Sequence, residues 1–109
     1  MRRNIESFKR AMREENYRLN GSTGTPVLAE GQYRGAVTDL GVGNYRITFT
    51  EPFSRVPTVV SGVLTDDAHV RITTLTALLV EVQCVDLANA PKEADLMLHV
   101  MGADIVDEQ

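Results

Sequence analysis

The stretch Ile47–Gly62, "ITFTEPFSRVPTVVSG", decides how the chain folds. Tyr45, Ile47 and Phe49 alternate with Arg46, Thr48 and Thr50 on one side of it, and valines recur on the other. That period of two is the pleat of a sheet. Pro52 and Pro57 lie between the two runs, and a proline, lacking the ladder donor, belongs at a strand end or edge. They are expected to fix where one strand stops and the next begins, with Phe53 capping the open end of the core.

Outward from this corner the same period recurs. "QYRGAVTD", "PTVVSGVL", "AHVRITT", "LLVEVQCV" and "DLMLHVMG" each read as a strand, and turn signals fall at "DLGVGN", "EPFSRVP", "TDD" and "NAPKE". About six strands without intervening helical patterns predict a mainly β fold, an antiparallel sandwich or small barrel, over residues 32–109. Residues 21–31 read as a linker.

The first twenty residues read differently. Ile5, Phe8, Met12 and Leu19 fall at helical spacings, with Asn4 as N-cap and Gly21 as the terminating glycine, so residues 1–20 are predicted to be an amphipathic helical arm. This arm holds six basic residues, Lys9, Arg10 and Arg13 among them, against three acidic ones, a net +3 on a chain whose total is −4. A basic arm on an acidic body is expected to dock on a negative surface. Ile5, Phe8, Lys9, Arg10, Met12, Arg13 and Leu19 are its docking candidates. Deleting residues 1–20 is then expected to leave a soluble oligomer unable to join its assembly.

Few residues could carry chemistry. His69, Cys84 and His99 are spaced fifteen apart and match no compact metal motif. Asp66 and Asp67 read as a tight turn and Gly41 and Gly43 as a hairpin. No pair of activated groups can be assembled from the serines or Cys84, so neither an enzyme nor a cofactor is expected. The acidic body and the lack of aromatics between the arginines disfavour nucleic acid. No apolar run approaches the roughly 18 residues of a membrane span.

The segment Gly43–Asp67, "GNYRITFTEPFSRVPTVVSGVLTDD", followed by Val70–Asp86, "VRITTLTALLVEVQCVD", resembles the pattern of H-type lectin-like domains. Phe49, Pro52, Phe53, Pro57, Val59 and Val60 carry the match, with the acidic turn at Asp66 and Asp67, and the likeness runs to about Gly102. The resemblance implies a six-stranded barrel or sandwich that forms homotrimers, of a kind found in bacteriophage virion proteins. It implies a virion protein assembled in the host cytoplasm: a capsid decoration or cement protein docked on a larger viral protein, or else a tail-associated receptor-binding module. For a carbohydrate ligand in the second case, Tyr33, Tyr45 and His99 are the candidate contacts.

Overall fold

The computed structural model describes residues 12–22, 24–29 and 33–103. They form eight strands: β1 (Met12–Asn20), β2 (Val27–Leu28), β3 (Gly35–Gly41), β4 (Asn44–Phe49), β5 (Thr58–Val63), β6 (Ala68–Leu75), β7 (Leu79–Asp86) and β8 (Leu96–Ala103). Two antiparallel sheets face each other, one in the order β2-β1-β8-β5 and the other β3-β4-β7-β6. Each of the six strand-like runs in the sequence forms a strand, β3 to β8.

Alternation builds the core. Tyr45, Ile47 and Phe49 from β4 and Val80, Val82 and Cys84 from β7 point inward from one sheet. Leu96, Leu98 and Val100 from β8 meet them from the other. Burying one such aliphatic side chain contributes about 1.5–3 kcal/mol. On the outward side of the second sheet, polar side chains of β4, β6 and β7 are tied across strands, as in Arg46 Nε to Glu81 Oε2 at 2.7 Å and the Arg71 guanidinium on the Gln83 amide.

The helical arm is corrected where the structure describes it. Met12–Asn20 is a strand, paired with β8 from Met12↔Ala103 to Leu19↔Leu96 and with β2 at its end. Ile5, Phe8, Lys9 and Arg10, with the Asn4 cap, lie outside the described residues. Met12 and Leu19, seven apart and so on one face of a helix, stand on opposite faces of the strand: Met12 is exposed and Leu19 buried. The helical stripe was apparent because the inward positions before Tyr17 are Arg13 and Glu15, which erase the apolar alternation. Gly21 ends no helix; a Cβ there would lie 2.5 Å from the Tyr45 hydroxyl and 2.6 Å from the Ala94 carbonyl. Residues 12–20 therefore belong to the sandwich, and the body begins well before residue 32.

The proline corner carries the chain from β4 in one sheet to β5 in the other. Phe53 turns into the core and meets Phe49 edge-on at 5.0 Å. Its N–H donates to the Ala77 carbonyl and the Ser54 N–H to the Ala103 carbonyl, so the corner is tied to both sheets. Pro57 is buried and Pro52 exposed. Gly102 lets the corner close: a Cβ there would sit 2.8 Å from the Phe53 ring and 2.9 Å from Pro57.

Candidate functional site

Three groupings of polar or exposed residues stand out. The first is buried at the corner, on the inward face of β1. Glu15 is 3% exposed, an unusual place for a carboxylate. Its Oε1 accepts from the Tyr17 hydroxyl and, at 3.3 Å, from the Arg34 N–H. Its Oε2 faces Arg13 Nε at 3.2 Å. The Arg13 guanidinium lies 3.7 Å over the Phe53 ring and donates to the Glu51 carbonyl at 2.7 Å. Tyr33 stacks on Tyr17 at 5.3 Å, and Arg34 reaches Glu51 at 3.3 Å. Both oxygens of Glu15 are turned to groups of the chain itself, so the arrangement clamps β1 to the corner and to the approach to β3.

The second grouping closes the opposite end. The Tyr45 hydroxyl donates to Glu93 Oε1 at 2.6 Å and accepts the Ala94 N–H at 3.3 Å. The same carboxylate oxygen accepts the Gly43 N–H at 3.2 Å. Cys84 lies buried nearby, its thiol pushed up to about 11 by burial and, secondarily, by the Glu93 charge. At neutral pH it is a thiol and a core residue.

Both tyrosines give a pH dependence with a definite sign. Burial first, then the hydrogen bond to Glu15, raises the Tyr17 phenol above its ordinary value; burial and Glu93 do the same for Tyr45. A phenol that ionises more readily in the unfolded chain stabilises the fold below the unfolded value, near pH 10, and that contribution is lost as pH rises further. Stability measured by urea unfolding is expected to fall above about pH 10 by about 1.4 kcal/mol per pH unit for each phenol. Tyr17→Phe and Tyr45→Phe should each reduce the slope. A flat profile up to about pH 12 would contradict this linkage.

The third grouping is the outer face of the β1–β8–β5 sheet. Register aligns Glu14 with Met101 and Thr58, Asn16 with His99 and Val60, and Arg18 with Met97 and Gly62. His99 Nε2 lies 3.6 Å from Glu14 Oε2. Val60 is 56% and Met97 43% exposed, and Met12 adds a third exposed apolar side chain at the end of the face.

The candidate ligand residues are not brought together. Tyr45 is 0% exposed and is a core residue, which removes it as a contact. Tyr33 packs on the inward-facing Tyr17, whereas His99 stands on the outer face of the same sheet. His69 is on the exposed face of β6, and its neighbour Val70 is the register partner of Cys84. Among the described residues no group of three or more His, Cys, Asp or Glu is placed to hold a metal ion. No described helix is long and apolar enough to cross a membrane. Asp66 and Asp67 make the turn before β6, where the Lys92 ammonium caps the Asp66 carbonyl at 3.0 Å.

Glu15, Tyr17 and Glu93 were not singled out in the sequence. Glu15 and Tyr17 are two apart, one strand face, and that signal becomes legible only once β1 is read with period two. Glu93 follows "APK" in a loop and carries no pattern of its own. No protein-family model, no curated protein and no solved structure matches the chain.

Proposed function

We propose that the protein is a non-catalytic structural component of a bacteriophage virion, a decoration or cement protein that works in several copies. One observation carries the reading: the outer face of the β1–β8–β5 sheet exposes Val60, Met97 and Met12 beside an unpaired edge strand, a surface suited to protein contact. The resemblance of Gly43–Gly102 to small virion domains supplies the setting. The conspicuous ionisable groups of the interior, Arg13, Glu15, Tyr17, Tyr45 and Glu93, are engaged in holding strands and loops together.

Attachment to the particle falls to the residues before β1. Residues 1–11 hold Arg2, Arg3, Lys9 and Arg10 against the single Glu6, together with Ile5 and Phe8. Opposite charge on a capsid protein would attract them, and several weak attachments on one oligomer bind far more tightly than one. The docking segment is thus shorter than the twenty residues suggested by the sequence. Deleting residues 1–11 while keeping β1 is expected to leave a folded protein that fails to co-purify with particles. Undiminished incorporation, read by mass spectrometry of purified particles, would refute this role.

A further inference from the structure

We infer that the β5 edge is the contact through which two copies of the chain join, antiparallel and about a two-fold axis at Ser61. β5 is the last strand of its sheet. Its register with β8, Thr58↔Met101 to Val63↔Leu96, continues to Leu64, whose N–H donates to the Asp95 carbonyl at 2.7 Å. Hydrogen-bonded pairs alternate along an antiparallel ladder. Since Leu64 is in such a pair, so are Gly62, Val60 and Thr58, and the N–H and C=O groups of Val59, Ser61 and Val63 point away from β8. Among the described residues none bonds to those outward groups.

The other edges are guarded. β2 has only two residues. β3 carries Asp39 and a register shift before Gly41. β6 carries His69, Arg71 and a register shift after Ile72. The part of β1 not covered by β2 carries Arg13, Glu14, Glu15 and Arg18. Charges, bulges and brevity are the ordinary means of stopping edge-to-edge pairing. From Val56 to Leu64, by contrast, "VPTVVSGVL" contains no charge at all. An unguarded edge rich in β-branched residues is a template for another strand.

A second copy fits that template. Outward groups lie on odd-numbered residues, so an antiparallel mate must set odd against odd, and the symmetric register centred on Ser61 does so. Val59 then pairs with the partner's Val63, and Val60 faces the partner's Gly62. A Cβ at Gly62 would meet nothing closer than the Met97 side chain at 3.5 Å, so the absent side chain leaves room for exposed Val60 to approach the partner's exposed Met97. The same register carries Arg55, which has no ion-pair partner among the described residues, toward the partner's Asp67, one at each end of the interface. Neutral at its centre and oppositely charged at its flanks, β5 is complementary to itself.

This contact rests on the reading that the chain works in copies and is independent of the virion setting. Sedimentation equilibrium of the full chain is expected to give a dimer mass. Ser61→Pro removes only outward donors, both hydrogen bonds on the two-fold axis, while leaving the β8 ladder intact. Val60→Lys guards the edge as natural edges are guarded. Each is expected to raise the dimer dissociation constant roughly tenfold or more, with an unchanged circular dichroism spectrum. If Ser61→Pro does not fold, Val60→Lys decides alone. A trimer, or a dimer indifferent to Val60→Lys, would overturn the β5 contact but leave assembly in copies standing; a monomer at every concentration would overturn both.

Discussion

A chain lacking residues 1–20 is expected not to fold, giving neither a strand-rich circular dichroism spectrum nor a cooperative thermal transition. β1 lies between β2 and β8, and its register with β8 spans almost the whole length of both strands. Its removal takes Tyr17 and Leu19 out of the core and exposes one side of Leu96, Leu98 and Val100. Two large buried side chains alone are worth about 3–6 kcal/mol, and the lost ladder and the opened core add to that. Against the ~5–15 kcal/mol that stabilises an ordinary domain, the deletion leaves little or nothing. The deletion of residues 1–11, which spares β1, is the matched control and should melt like the full chain. A cooperative melt after removal of all twenty residues would mean that β1 is an accessory and not part of the sandwich.

Glu15→Ala is expected to cost about 3–5 kcal/mol, the range found when one partner of a buried ion pair is removed. The Tyr17 hydroxyl and the Arg34 N–H lose their acceptor and Arg13 loses its nearest carboxylate. Glu15→Gln keeps an acceptor oxygen without the charge and should fall between Ala and wild type. Replacing the pair together, Arg13→Met with Glu15→Leu, should cost less than the sum of the single changes, since no buried charge is left without its mate. Urea midpoints at constant m-value give all five differences from wild type. A Glu15→Ala variant within about 0.5 kcal/mol of wild type would show that the carboxylate is not confined as described.

What the sequence disclosed and what it concealed follow from the same rule. From Gly35 onward the inward rows are mostly apolar, so β3 to β8 announce themselves by alternation even though Val60 and Met97 make the outer row of the β8–β5 pair partly apolar. β1 breaks the rule at Arg13 and Glu15, inward positions occupied by charges that satisfy each other only across space. A pattern based on hydrophobicity finds no strand there and accepts the chance spacing of Met12 and Leu19 as a helix. Tyr45 illustrates the converse. Its alternation with Ile47 and Phe49 already placed it in the inward row, and its phenol made it look like a ligand contact only because polar aromatics are scarce in this chain. The partner that accounts for the phenol is Glu93, 48 residues away, a distance no local motif bridges. The open edge of β5 was likewise invisible, since edge and centre are properties of sheet order and not of the strand's own residues.

Whether copies of the chain meet along β5 can be read residue by residue from amide hydrogen exchange. The N–H groups of Val59, Ser61 and Val63 should exchange quickly in dilute solution and become protected as protein concentration rises, while the β8-facing amides of Val60 and Gly62 stay protected throughout. Exchange at Val59, Ser61 and Val63 that stays fast and independent of concentration would contradict this contact.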